Sequence, residues 1–462
     1  MSPVHPCFQP RVLALEPALA ARPLPELLGA LGAPARRPVL FDGGLGLDPP
    51  WSVLAFDPLG GPAPRSIAGL RRLLQRLERG PGDEVPGPFQ GGFAGALAYE
   101  LGEAAETGLR LPPDPWRMPR VVGGLYTDFL VRDDRAGRTW LVLGECPGDG
   151  RPALEERRGR VLAALRARPT PLDPCRPDGP LQRLVPPAEH ARRIEKVRER
   201  IAAGEVYQAN LSHRTVRAVR GDPRELYLRL RALHPAACAG YCAWPGGALL
   251  SASPELLLEV APDVGRLART RPIKGTAARN ASPEADRRAI RTLLASEKDL
   301  AELAMIVDLE RHDLARVALP GSVRVEAFPV VESLASVHHL VGEVAAPLGP
   351  GRDAIDALAA LFPGGSITGA PKLRSMEVIA ELEGEGRGFA YGSQAWIDTR
   401  GALRASLLIR TLLWRPRRGG GSRGEVTFRV GGGITWRSVA EDEERETQDK
   451  GRLLAQALDS RP

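Results

Sequence analysis

The stretch Pro169–Pro187 holds seven prolines, together with Asp173, Asp178 and Gly179. Proline fixes φ and donates no backbone hydrogen bond, so neither a helix interior nor a central strand can run through such a stretch. It predicts a linker at 169–187 between an N-terminal region, 1–168, and a second region, 188–456. The 462 residues exceed one typical domain, although large two-layer folds can use this length as a single unit.

Beyond the linker, Pro187–Ala203 reads as a helix, with Ala191, Ile194, Val197 and Ile201 on one face and Gly204 placed to cap it. Before it, Ile67, Leu70, Leu73, Leu74 and Leu77 predict a basic amphipathic helix within 65–79. The glycines of Phe89-Gln90-Gly91-Gly92 predict close backbone approach in a sheet; no Lys-Ser/Thr pair opening a helix follows, as a phosphate loop needs. Gly144-Glu145-Cys146-Pro147-Gly148 has the outline of a nucleophile elbow. An elbow leads straight into a helix, whereas Asp149-Gly150-Arg151-Pro152 intervenes here, so we read a strand-end turn.

Composition excludes several classes of function. The net charge is 63 − 56 = +7, spread along the chain, and aromatics are only 5%. A nucleic-acid surface needs a basic stripe with aromatics interleaved, so none is expected. The five cysteines form no paired CxxC spacing, which suits free thiols in a reducing cytoplasm. No secretory leader and no apolar run of ~18 residues is present, so no membrane association is expected.

Of the 63 basic residues only five are lysines: Lys196, Lys274, Lys298, Lys372 and Lys450. Arginine fills nearly every position where a bare positive charge suffices. The remaining lysines are candidates for work that needs an amine able to lose its proton and act as a nucleophile. Lys274, in Thr-Arg-Pro-Ile-Lys-Gly-Thr (270–276), is the first candidate; a solvated loop lysine is the plainer reading.

Two acidic pairs stand out. Ser296–His312 reads as a helix with a capping pattern at Ser296 and Asp299, and Asp299 and Glu302 share one of its faces. Glu443 and Glu446 repeat that spacing near the C-terminus, with Lys450 one turn on. Two helices presenting carboxylate pairs to one space suit a hard divalent ion such as Mg²⁺; solvated faces with i,i+4 ion pairs are the alternative. Phe362–Lys372 and Gly431-Gly432-Gly433 are loops offering backbone N–H groups to a carboxylate. Arg410, in the apolar run Leu407–Leu413, is expected in a buried strand, where it would need an anionic partner.

Taken together, these stretches resemble the chorismate-utilising enzymes, a family that includes anthranilate, aminodeoxychorismate, isochorismate and salicylate synthases. The resemblance rests on Tyr207-Gln208, Ser253-Pro254-Glu255, Pro272–Thr276, Lys298–Leu314, His339-Leu340, Phe362–Lys372, Leu408–Thr411 and Gly431–Lys450. It implies an α+β fold of two packed, mainly antiparallel sheets flanked by helices. A lysine in Pro-Ile-Lys-Gly-Thr is typical of aminodeoxychorismate synthase component I, where anthranilate synthases usually carry alanine. Gln208 stands where water-adding members carry a lysine base. The implied reaction is amination of chorismate at C4, toward 4-aminobenzoate and folate, with ammonia from a separate glutamine amidotransferase subunit.

The resemblance also implies roles. Mg²⁺ would be held by Glu302 and Glu446, with Asp299 and Glu443 in support. Arg410, Lys450 and the backbone of Gly432 and Gly433 would engage carboxylates, and Thr276 and His339 would contact the substrate. Glu255 would be the general acid and Lys274 the covalent nucleophile. Anthranilate synthase component I and a non-catalytic binding paralogue are the alternative readings. Departures from the family pattern are His312, Ala395-Trp396, and the partial tryptophan-binding signatures at Leu15-Glu16-Pro17 and His234–Ala237.

Overall fold

The computed structural model describes residues 7–459 apart from 33–35, 44–49, 62–63, 106–107, 169, 264, 335–336 and 418–421. The chain is α+β: two sheets, nearly all antiparallel, pack face to face with helices on both outer sides. The larger sheet runs from the edge strand Gln182–Arg183 through Gln208–Arg220, Arg423–Ile434, Thr411–Pro416, Gly247–Ser253 and Cys238–Trp244 to strands of the N-terminal region beginning with Val39–Asp42. The smaller runs from Ile273–Ala278 through Val337–Pro347, Leu267–Arg271, Leu256–Val260, Leu403–Leu407 and Ser393–Asp398 to Gly92–Leu97 and Val121–Tyr126.

Residues on either side of the Pro-rich stretch therefore share both sheets. Ala239 pairs with Asp42 in the larger sheet, and Gln394 with Ala96 in the smaller. The stretch itself lies along a sheet edge, where proline's missing N–H costs least: Pro177 pairs with Val219 and Arg183 with Thr215. Pro169 lies outside the described residues.

Packing follows the sequence pattern. Gly247–Ser253 is buried at every position, as a short unbroken run of small and apolar residues in a sheet centre should be. Leu249, Leu413, Phe129, Val53, Ala94 and Trp396 fill the space between the sheets. Burying side chains of this size stabilises by about 1.5–3 kcal/mol each before entropy is charged against it. Gly92 lies so close to the neighbouring strand that a Cβ there would sit 2.2 Å from the Ile397 carbonyl, as the glycine cluster predicted. The basic helix spans Ile67–Leu74 behind a Ser66 cap, and Gly144–Gly148 is indeed a strand-end turn. No helix among the described residues is long and apolar enough to cross a membrane.

The feature that positions the site is a double crossing between the sheets. The chain leaves the larger sheet at Ser253 and enters the smaller at Leu256; it returns from Leu407 to Thr411. The strands on both sides of these crossings are hydrogen-bonded neighbours. Glu255 occupies the first crossing and Arg410 the second. This corrects the expectation of Arg410 within a strand: it sits in the irregular link, with φ +50, a backbone region that non-glycine residues enter at a cost of about 1–2 kcal/mol.

Candidate active site

Beside the crossings lies a cavity of about 750 Å³. Its wall exists because the strand Arg423–Ile434 loses one neighbour along its length. Thr411–Pro416 pairs with it only as far as Thr427, whereas Gln208–Arg220 stays paired up to Ile434. Val430, Gly431 and Gly433 thus border open space, together with Glu255, Lys274, Thr276, His339 and Arg410 from the seam. The helices Glu297–Ala315 and Ala440–Asp459 close the far side with Asp299, Glu302, Glu446 and Lys450.

Ten of the twelve residues named from the sequence line this one cavity; Gly432 and Glu443 stand just behind it. Glu443 is buried, accepts a hydrogen bond from the Ser438 hydroxyl at 2.7 Å, and lies against Gly432.

Glu255 and Lys274 meet at one residue. The Ser366 hydroxyl donates to Glu255 Oε1 at 2.6 Å, and Lys274 Nζ donates to the Ser366 carbonyl at 3.4 Å. Burial raises the pKa of Glu255, against the lowering effect of the Ser366 bond and of the Lys274 and Arg410 charges. A carboxyl that keeps its proton beyond the usual range can serve as an acid. Gly275 adopts φ +73, and a Cβ there would lie 3.0 Å from Asp299; the residue after Lys274 must be small for the strand and the acidic helix to approach.

Thr276 Oγ1 lies 2.9 Å from His339 Nδ1, while His339 Nε2 is buried with no partner among the described residues. Burial, with the Arg410 charge nearby, pushes the His339 pKa down to about 4, so the ring is neutral near pH 7. Burial likewise lowers the pKa of Arg410, partly offset by Glu255. A guanidinium held with so little compensation is suited to an anionic ligand.

The acidic side has its own logic. Lys450 Nζ lies 2.8 Å from Glu446 and 3.0 Å from the Gly431 carbonyl. Burial opposes the charge on Glu446, but Lys450, Lys298 and Lys274 outweigh it and hold its pKa below the usual value. Glu302 is shifted upward, by burial first and by Glu446 and Glu443 in addition. Lys298 Nζ stands 3.5 Å from Glu443 and 4.0 Å from Glu302, on different helices. Among the described residues no three potential ligands converge tightly enough to hold a metal unaided. The donor set is nonetheless all carboxylate oxygen, and the space between the two pairs already accommodates a cationic group. Both facts fit Mg²⁺, which takes one or two carboxylates and leaves other positions to water and substrate.

Lys298, Asn210, Ser366, Tyr391, Arg429 and Asp449, given no role from the sequence, also line the cavity. Lys298 carried the same signal as Lys274, being one of five lysines in an arginine-rich chain. Ser366 lies within the Phe362–Lys372 loop already noted. Asn210 keeps a buried Oδ1 without a partner among the described residues, which only coordinates reveal. Arg429, unlike Arg410, is paired with Glu383 and Glu385 at 3.1 and 2.6 Å. Among the departures, His312 faces solvent, and Trp396 packs on Phe89 between the sheets, away from the cavity lining.

One buried acid sits behind the site. Glu310 accepts a hydrogen bond from Thr270 Oγ1 at 2.5 Å, and burial, reinforced by Glu255, pushes its pKa up to about 8 despite Thr270 and Lys372. A carboxyl whose folded pKa is raised stabilises the fold fully below its unfolded value of about 4.3, and that contribution is lost as pH climbs toward 8. Glu310→Gln removes the titration. Its melting temperature is therefore expected to fall less than the wild type's between pH 6 and 9, by about 2 °C or more, in a buffer-matched thermal scan. Parallel curves for the two proteins would contradict the assignment.

A carboxyl of raised pKa and an amine beside one residue, a poorly compensated guanidinium and two facing carboxylate pairs suit a site for a small anionic substrate. Similarity to known proteins gives that class a name. The profile of the chorismate binding enzyme family matches residues 45–456, so the chain belongs to that family. It is 34% identical over 394 residues to the aminodeoxychorismate synthase component 1 of Bacillus subtilis, covering 84% of this chain and 80% of that one. It is 36% identical over 391 residues to the anthranilate synthase component 1 of Streptomyces coelicolor, covering 81% and 74%. The crystal structure of anthranilate synthase component I from Streptococcus pneumoniae TIGR4 superposes with a TM-score of 0.75 at 28% identity, covering 87% of this chain and 92% of that one.

Proposed function

We propose that this chain is an aminodeoxychorismate synthase component I, replacing the C4 hydroxyl of chorismate by an amino group. The observation that carries the reading is Lys274 in the cavity beside Glu255, both tied to Ser366. Identity alone does not choose between the aminating branches, since relatives of both kinds lie at 34–36%.

The chemistry follows from the residues. Lys274 Nζ adds to C2 of the ring, both ring double bonds shift round toward C4, and the C4–O bond breaks. Glu255 gives its proton to the departing hydroxyl, which leaves as water. Ammonia then forms a bond to C4, both double bonds shift back, and the C2–Nζ bond breaks. The proton released from nitrogen restores Glu255, so chorismate and ammonia yield 4-amino-4-deoxychorismate and water. Arg410 and Lys450 would hold the substrate carboxylates, while the neutral His339 with Thr276 would orient the ring. Glu302 and Glu446, backed by Asp299 and Glu443, would hold Mg²⁺. When bound, the ion would supply Lewis-acid charge to a substrate carboxylate. A glutamine amidotransferase subunit is the proposed source of ammonia, in keeping with the component naming of the relatives.

The test is a product assay on the purified chain with chorismate, Mg²⁺ and excess ammonium, run with and without aminodeoxychorismate lyase. 4-Aminobenzoate that appears only with the lyase is the expected result. Fluorescent 2-aminobenzoate formed without lyase would instead assign the chain to the anthranilate branch.

A further inference from the structure

Lys298 stands among the four carboxylates and yet has no place in the chemistry above. Its ammonium reaches Glu302 on its own helix and Glu443 on the other, at 4.0 and 3.5 Å. Burial works against its charge, and Glu443, Glu302 and Glu446 together more than compensate. Lys450, the second lysine of the cluster, is differently committed, to Glu446 and to the Gly431 carbonyl.

The surroundings explain why a cation is needed there. The Glu443 side chain is only 3% exposed, so without a cation nearby its charge would be buried and poorly compensated. A divalent ion between the carboxylate pairs and an ammonium at the same place would repel each other strongly at such range. Lys298 can give way: its side chain is 48% exposed and its four-carbon stem is flexible.

We propose that Lys298 is a resident counter-cation of the carboxylate cluster, displaced when a divalent ion enters, so that the chain binds metal weakly until that displacement is compensated. The proposal rests on the divalent-ion reading of Glu302 and Glu446 given above. It gives Lys298 the role of setting metal affinity through competition. A carboxylate brought by the substrate adds negative charge to the cluster and is the natural compensation, which couples metal binding to substrate binding.

The test uses Mn²⁺ alone as the probe, titrated into the full chain at fixed ionic strength and followed by electron paramagnetic resonance of free Mn²⁺, with and without chorismate. Lys298→Met is expected to bind Mn²⁺ at least tenfold more tightly than wild type when chorismate is absent. Lys298→Arg, which keeps the charge, should stay within about twofold of wild type, and Glu446→Gln should weaken binding in every background. Equal affinities for Lys298→Met and wild type, with Glu446→Gln still weakened, would overturn the role of Lys298 and leave the metal site standing. No saturable Mn²⁺ binding by wild type with chorismate, or no effect of Glu446→Gln, would overturn the metal reading itself. Circular dichroism accompanies each titration, and Lys298→Gln serves in place of Lys298→Met if the latter does not fold.

Discussion

Lys274→Ala is expected to lower formation of 4-amino-4-deoxychorismate by about 10²-fold or more while leaving the fold intact. The fold should tolerate the change because the lysine's hydrogen bond is a long one, 3.4 Å to the Ser366 carbonyl, on a half-buried side chain. On the proposed mechanism, what is lost is the nucleophile that splits one difficult displacement into two, each relayed through the ring diene. A direct readout accompanies the rate. Wild-type protein incubated with chorismate but no ammonia should carry, on the peptide containing Lys274, the mass of chorismate less water. The alanine variant should carry none. Unchanged turnover in the variant would mean that ammonia attacks C4 without covalent help.

Glu255→Gln should cost about 10²–10⁴-fold in turnover, the usual contribution of a positioned general acid. The glutamine keeps the shape and can still bond to Ser366, so the loss reports the proton and not the packing. Because burial raises the pKa of Glu255, its acid form persists above the ordinary carboxylate range. Activity that depends on it is present below that raised pKa and falls as pH passes through it. The wild-type profile should show this alkaline limb, and the residual rate of the glutamine variant should lack it. A limb that survives unchanged in Glu255→Gln would move the acid role to another group.

Much of this was legible before any coordinates. Helical spacing placed Glu302 and Glu446 on two helices, and the scarcity of lysine pointed to Lys274. Ser253-Pro254-Glu255, named from the family resemblance, is a turn that links two strands. What the sequence could not show is that this turn also changes sheet. Arg410 misled for the same reason: Leu407–Leu413 has the apolar composition of one continuous strand, and only tertiary packing breaks it into two strands of different sheets. Strand propensity reports burial, and the link carries the buried Leu408 and the partly buried Ile409. Glu310 was invisible because a carboxylate on a helix is usually solvated; its environment comes from Thr270, Glu255 and Lys372, remote in sequence. Asn210 was likewise hidden in the middle of a strand.

Ser366 has a mechanical consequence. Its hydroxyl bonds to Glu255 and its carbonyl lies 3.4 Å from Lys274 Nζ, so one residue touches both of the proposed reactive groups. On the proposed mechanism, a shift of the Phe362–Lys372 loop would disturb the acid and the nucleophile together. The loop is pinned at its far end as well, where Lys372 Nζ bonds to Asp313 at 2.6 Å and to the Leu361 carbonyl at 2.7 Å. The loop is thus a single point at which one substitution would reach both halves of the proposed chemistry.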